Sequence, residues 1–169
     1  EFVRMDARSL VYDGEFDAVT MFFTSIAYMV SDSDLDRLLV GVYRALRPGG
    51  VFIADTPNPY ASAYRYGAQP GPSVWEARAP DGRLLFVIDY REFEDVRAIV
   101  HFKRLVMVVD PDGSTRSYFV YDKLRLYNAR ELKEASLRSG FRVAEIYGDA
   151  DINRREPPNA NRLFLVAVK

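Results

Sequence analysis

With 169 residues, 49% of them hydrophobic, the chain has about one domain's worth of length and enough apolar side chains to bury a core. Its 23 Lys and Arg face 24 Asp and Glu, for a net charge of −1. That balance argues against nucleic acid or an anionic membrane as the main partner, because both select basic surfaces.

The absence of cysteine excludes disulfides, thiolate chemistry and cysteine zinc sites, and with the balanced charge it fits a cytoplasmic protein. No apolar run reaches the roughly 18 residues of a membrane-crossing helix. Arginine makes up 19 of the 23 basic residues, a bias in keeping with a hot habitat or a GC-rich genome. The chain opens on "EFVRMDARSL", without an initiator Met, and its first residues read as strand. The expectation is therefore a piece of a longer protein.

"FDAVTMFF" (16–23) is apolar on both faces and too short for an ordinary helix, as in a covered strand of a parallel sheet. In "SDSDLDRLLVGVYRALR" (31–47), Leu35, Leu38, Leu39, Val42 and Leu46 form one helical stripe. Ser31 with Asp34 gives a capping-box-like start, and Arg44 and Arg47 are placed in the last turn, where the helix dipole favours cations. "VFIAD" (51–55) is then a second buried strand, completing a strand–helix–strand unit.

The intervening "RPGG" carries Gly49-Gly50. A glycine loop that cradles phosphate or adenosine runs from strand to helix, so that the positive helix N-terminus faces the ligand. This pair has the reverse order and reads as a helix stop and tight turn, with Pro48 preventing continuation.

From residue 73 the pattern changes. "PDG" turns at 80–82 and 111–113 separate "SVWEARA", "RLLFVIDYREF", "RAIVHFKRLVMVVD" and "STRSYFVYDKLRLY", which read as antiparallel strands. Within the last run Tyr118, Val120, Leu124 and Leu126 alternate with Phe119, Tyr121, Lys123, Arg125 and Tyr127. "NARELKEASLRSG" (128–140) is a helix with Asn128 as N-cap, Glu131 at the capping-box position and Gly140 as its stop. "FRVAEIYG" (141–148) and "RLFLVAVK" (162–169) follow as strands, joined by the polar link "DADINRREPPNAN".

"FDAVTMFFTSIAYM" followed by a helix and "LRPGGVFIADTPN" resembles the second half of class I S-adenosylmethionine-dependent methyltransferases. Phe16, Asp17, Val19, Leu46, Pro48, Gly49 and Gly50 match the ordered pattern. "VRMDARSL" resembles that family's preceding strand, and "YNARELKEASLRSGFRVAEIYGD" its last helix and penultimate strand. The family's acidic-x-Gly-x-Gly-x-Gly loop, which holds the methionine part of the cofactor, has no counterpart in the chain.

The resemblance implies an α/β fold, a partial Rossmann-like methyltransferase sheet with an inserted antiparallel β-sheet subdomain. Its segments are 1–72 and 128–169 for the core and 73–127 for the insertion, an acceptor lid or dimer interface. The implied cofactor is S-adenosylmethionine and the implied partner a small-molecule methyl acceptor. Taken alone, this chain is expected to bind the cofactor weakly and to be inactive.

By the same resemblance Asp6 and the Ala7 N–H would meet the adenine, and Phe22 and Phe23 would face the adenosine and sulfonium. The hydroxyls of Thr24, Ser25 and Tyr28, in the following loop, would position substrate or the cofactor's carboxylate, with Tyr28 counted among the cofactor-binding residues. Tyr60, Tyr64, Tyr66, Trp75, Tyr90, Tyr118 and Tyr121 would line an acceptor pocket, or alternatively pack a core or a dimer interface. Arg91 or Arg104 could bind an acidic acceptor. His101, the only histidine, reads as structural and cannot build a metal site by itself, so no metal is expected.

Two other readings compete. One is a non-catalytic fragment or assembly module that pairs through an exposed sheet edge. The other, a dehydrogenase, lacks any nicotinamide-binding loop. In the family's strand order "FDAVTMFF" would be left as an open apolar edge, so the chain is expected to dimerise there or to fill the gap with "FVRMDA".

Overall fold

The computed structural model describes residues 2–61, 72–94, 96–155 and 159–169. In chain order its strands and α-helices are β1 (Phe16–Met21), α1 (Asp32–Ala45), β2 (Leu46–Pro57), β3 (Ser73–Arg78), β4 (Leu84–Glu94), β5 (Ile99–Val109), β6 (Thr115–Arg125), α2 (Ala129–Arg138), β7 (Val143–Gly148), β8 (Asp151–Arg155) and β9 (Arg162–Val168). They divide between two compact units, residues 1–62 with 125–169, and residues 63–124.

The first unit is built on a five-stranded sheet of order β1-β2-β9-β7-β8. β1 and β2 are parallel, and the β2–β9, β9–β7 and β7–β8 pairs are antiparallel. The even-numbered side of β2, with Phe52 and Ala54, and the facing Leu163, Leu165 and Ala167 of β9 are buried. Against them pack Leu35, Leu38, Leu39 and Val42 of α1, and Leu132 and Ala135 of α2. The period of 3.6 in the helices and of 2 in the strands thus meets in one apolar layer. Tyr127 is fully buried in that layer, and its hydroxyl donates to the Met29 carbonyl. Burial pushes its phenol well above the usual tyrosine range.

Both helices start as the sequence dictates. Ser31 caps α1 by accepting from the Asp34 N–H at 3.1 Å. Asn128 and Glu131 form a reciprocal capping box on α2, each side chain accepting from the other's backbone N–H at 2.9 Å. Gly140 closes α2 at φ +105°, a conformation that disfavours any residue with a β-carbon.

The "RPGG" turn differs in detail from the sequence expectation. α1 ends at Ala45, Leu46 is already extended, and Arg47 lies outside the helix. Pro48 restricts Arg47 to extended backbone, so the stop comes before the glycines rather than at them. Gly49 takes φ +81°, and a β-carbon on Gly50 would come within 2.9 Å of the Arg47 carbonyl. The pair lies within β2, in the stretch between Leu46 and Val51 where pairing with β1 is irregular.

Three further expectations are corrected. β1 is not a covered strand: four of its six residues are exposed and only Val19 and Met21 are half-buried against the core. Among the described residues it has a neighbour on one side only, the open edge that the family's strand order led to expect. Residues 2–6 form no strand, and the following Ala7–Ser9 make a 3-10 turn against α1. The polar link after β7 contains β8, an edge strand whose polar residues carry no alternation signal.

The second unit is a four-stranded sheet of order β3-β4-β5-β6, with β3–β4 and β4–β5 antiparallel. The two "PDG" turns sit where the sequence puts them, with Gly82 at φ +87° and Gly113 at φ +81°. Asp89 of β4 is buried at the centre of this sheet, opposite Arg104 of β5.

Candidate functional site

β1 and β2 run parallel, so their carboxyl ends lie side by side, the position at which open α/β sheets present ligand sites. Five residues singled out from sequence are gathered there by one segment: Phe22, Phe23, Thr24, Ser25 and Tyr28. After β1 the chain turns through Phe23 at φ +58° and Thr24 at φ +69°, then enters a 3-10 turn, Ser25–Tyr28. Each of these left-handed residues carries a β-carbon and costs about 1–2 kcal/mol. The Ser25 hydroxyl donates to the Phe22 carbonyl at 2.7 Å, and the Ala27 N–H to the Thr24 carbonyl at 2.9 Å. The consequence is an outward-facing aromatic pair: Phe22 is 43% and Phe23 93% exposed.

Beside this turn lies a polar cluster that sequence reasoning missed. Asp55, near the end of β2, is buried. Arg162, at the start of β9, donates through Nε to Asp55 Oδ2 at 2.6 Å, and its Nη2 donates to both Asp55 Oδ2 and Thr24 Oγ1, the latter at 2.8 Å. The Thr24 N–H points at Asp55 Oδ1 from 3.5 Å. Asn58, also buried, donates its amide to the Ala160 carbonyl at 2.8 Å. Thr56 Oγ1 is buried with no hydrogen-bond partner among the described residues. Asp55 and Asn58 could have been flagged as polar residues flanking an apolar strand. Arg162 gave no signal, being one of 19 arginines.

Asp6 and Ala7 are placed by a different element, the 3-10 turn Ala7–Ser9. Asp6 caps that turn by accepting from the Arg8 N–H at 2.9 Å. The Arg8 guanidinium grips both carboxylate oxygens, Nη2 to Oδ2 at 2.7 Å and Nε to Oδ1 at 3.0 Å, and also reaches Asp34 at 3.3 Å. The Arg8 side chain, then its backbone N–H, holds the Asp6 carboxyl at about 2, down from 3.8. A lowered folded pKa means that the contribution of Asp6 to stability is present above its ordinary pKa and is lost as pH falls through about 2. An NMR titration of Asp6 is expected to show this low midpoint, with Arg8→Ala returning it toward 3.8.

The remaining candidates are not brought together. Tyr60 is exposed just past β2, its N–H donating to Asn58 Oδ1 at 3.1 Å, while Tyr64 and Tyr66 lie outside the described residues. In the four-stranded sheet Trp75 is paired with Val87, whereas Tyr90 is paired with Lys103, so alternation puts the two aromatics on opposite faces. Tyr121 lines the same groove as Tyr90, a cavity of about 420 Å³ that also includes Glu92, His101, Lys103 and Lys123. Tyr118, three residues before Tyr121, is on the other side of β6. Trp75, Tyr90, Tyr118 and Tyr121 therefore cannot line one pocket on this sheet.

Arg91 and Arg104 are committed elsewhere. Arg104 donates to Asp89 at 2.5 and 3.2 Å, and Arg91 pairs with the same carboxylate at 3.6 Å and donates to Ser73 Oγ at 2.9 Å. Both serve a buried carboxylate rather than standing open for an acidic acceptor. His101 Nε2 lies 3.3 Å from Glu94 Oε2, a local contact.

Comparison with known proteins places this architecture. Residues 1–54 match the family model described as a methyltransferase domain. The structure superposes on an S-adenosylmethionine-dependent methyltransferase from Clostridium acetobutylicum ATCC 824 with a TM-score of 0.79 at 18% identity, covering 98% of this chain and 63% of that one. The chain thus carries the fold of class I S-adenosylmethionine-dependent methyltransferases.

Among individual relatives, it is 24% identical over 148 residues to the dTDP-3-amino-3,4,6-trideoxy-alpha-D-glucopyranose N,N-dimethyltransferase of Streptomyces venezuelae, covering 85% of this chain and 57% of that protein. It also matches SAM-bound CalS10, an amino pentose methyltransferase from Micromonospora echinaspora, with a TM-score of 0.67 at 17% identity over 97% of this chain and 62% of that one. The chain spans less than two thirds of the length of each of these relatives.

Proposed function

We propose that the chain forms the acceptor-side part of an S-adenosylmethionine-dependent methyltransferase acting on a small molecule, with an amino sugar as the favoured acceptor class. The observation that carries this reading is the strained turn at the carboxyl ends of β1 and β2, which holds Phe22 and Phe23 outward at the ligand end of the sheet. The acceptor class rests on the amino-sugar substrates named for two of the relatives.

The residues present fit one end of the cofactor. Exposed aromatic faces suit a sulfonium cation, and the Asp6 carboxylate, held on both oxygens by Arg8, would accept from the amino group of an adenine only through the lone pairs Arg8 leaves. When bound, the cofactor supplies an electrophilic methyl group, so little acid–base chemistry is needed from the protein. Phe22 and Phe23 would orient the reacting centre and exclude water, while Thr24, Ser25 and Tyr28 would present hydroxyls to the cofactor's carboxylate or the acceptor. Asp55 is not offered as a base, because Arg162 occupies its carboxylate.

The 169 residues contain no acidic-x-Gly-x-Gly-x-Gly loop, so the methionine end has no holder of that kind. In this proposal residues 1–72 and 128–169 are part of a Rossmann-like core and residues 73–127 are inserted in it. Titration of the chain with S-adenosylhomocysteine, followed by NMR, is expected to shift Phe22 and Phe23 resonances with affinity no better than millimolar. Micromolar affinity would overturn the expectation that the chain binds the cofactor weakly without that loop. Unmoved Phe22 and Phe23 signals at saturating ligand would overturn the placement of the site.

A second reading, an assembly role, is favoured by one observation. β1 is an edge strand in the described sheet, with Phe16 37% exposed. Such an edge is a template for pairing with another chain. A homodimer formed there, or through the four-stranded sheet, is compatible with the methyltransferase reading.

A further inference from the structure

We propose that Arg162 is the positioning residue of the strand-end site, fixing the left-handed Phe23-Thr24 turn and through it the direction of the Phe23 ring. The inference rests on the reading of that turn as part of the cofactor site. It begins from a strain that needs an explanation. Two consecutive residues with β-carbons, one of them β-branched, occupy the left-handed region, which persists only where surrounding contacts over-determine it.

The hydrogen bonds within the turn are local, and the contacts that reach it from elsewhere in the chain converge on one guanidinium. Arg162 reaches across from β9, 138 residues away in sequence, to donate to Thr24 Oγ1 at 2.8 Å. Through Nε it also donates to Asp55 Oδ2 at 2.6 Å, and the other oxygen of that carboxylate faces the Thr24 N–H. The Arg fork thus ties the turn's side chain directly and its backbone through Asp55. Asp55 is 5% exposed, and a carboxylate so buried is costly without a cation beside it. A lysine could satisfy one of these acceptors but not the fork geometry.

Arg162 is itself held from behind. The β7–β8 turn contains a second left-handed pair, Asp149 at φ +51° and Ala150 at φ +60°. The Asp149 carboxylate accepts from the backbone N–H groups of Asn161 at 2.9 Å and Arg162 at 3.0 Å, and the Asp149 N–H donates to the Arg162 carbonyl at 3.0 Å. Two strained turns on different strands are therefore braced by the same residue, one by its backbone and the other by its side chain.

The test compares wild type, Arg162→Ala, Arg162→Lys and Thr24→Val by amide hydrogen exchange. Thr24→Val keeps the side-chain shape and removes the acceptor, so it serves even if Arg162→Ala folds poorly. The expected result is exchange roughly tenfold faster at the Ala27 amide in Arg162→Ala and Thr24→Val, with the Ser139 amide of the α2 cap unchanged and Arg162→Lys intermediate. Acceleration that is equal at Ala27 and Ser139 reports general destabilisation and overturns the proposal, as does an unchanged Ala27 amide.

A parallel titration with S-adenosylhomocysteine separates the two levels. If wild-type Phe23 does not respond, the cofactor reading fails while the exchange result still decides the role of Arg162 in the turn. If wild-type Phe23 responds and Arg162→Ala responds equally, the positioning role is overturned.

Discussion

Asp89→Ala is expected to cost about 3 kcal/mol of stability, the lower part of the range for breaking a buried ion pair. Asp89 is 3% exposed at the centre of the four-stranded sheet, and its removal leaves Arg104 and Arg91 without their carboxylate. The lower part applies because both guanidinium side chains are one-third exposed and can recover some hydration. Asp89→Asn should lose less, since the amide oxygen still accepts from Arg104. Arg104→Ala should also lose less, because Arg91 remains 3.6 Å from the carboxylate. Urea unfolding monitored at Trp75 would order the three variants, and Asp89→Ala at wild-type stability would show that the pair contributes nothing.

The pH dependence of that variant has a definite sign. Burial alone would raise the Asp89 carboxyl, but the hydrogen bond and charge of Arg104, then of Arg91, outweigh it and hold it below the usual carboxylate range. A lowered folded pKa gives stability that is present above the ordinary carboxylate pKa and lost as pH falls through the folded value. The gap between wild type and Asp89→Ala should therefore be widest near neutrality and narrow in acid.

Phe52→Ala is expected to cost about 4 kcal/mol, whereas Phe23→Ala should stay within about 0.5 kcal/mol of wild type. Phe52 is fully buried, stacked 6.4 Å from Phe141 and paired across the sheet with the small Ala167, so its truncation opens a cavity in the core. Phe23 is 93% exposed and touches water on nearly every side. Thermal unfolding of the two variants checks both expectations. A large loss at Phe23 would mean that its ring is packed, and the strand-end site would lose its aromatic face.

Much of this fold was legible in the sequence because the signals were local and periodic. The leucine stripe of α1, the Asn128–Glu131 capping box and the two "PDG" turns depend only on neighbours within a few residues. Where the sequence reading failed, the cause was non-local. Residues 2–6 read as strand from their composition, yet they form none and lead into the 3-10 turn that packs against α1. The polar strand β8 exists because β7 offers it a free edge, which no alternation in "DINRR" announces.

The candidate site divides along the same line. Phe22, Phe23, Thr24, Ser25 and Tyr28 are contiguous, so a family-like pattern after a strand was enough to find them. Asp55 and Arg162 are 107 residues apart, and only the antiparallel pairing of β2 with β9 brings them together. The aromatic set on the four-stranded sheet failed for a related reason. Alternation separates Trp75 from Tyr90, but only register with Val87 and Lys103 assigns each to a face.

By itself the sequence determined the two α-helices, the "PDG" turns and the strand–helix–strand unit, since propensity, capping and φ requirements act through bonded neighbours. The tertiary structure alone decided which arginines are committed to buried carboxylates and which distant cation braces the strained turn at the strand ends. Those are matters of burial and pairing between residues far apart in the chain, and no local signal encodes them.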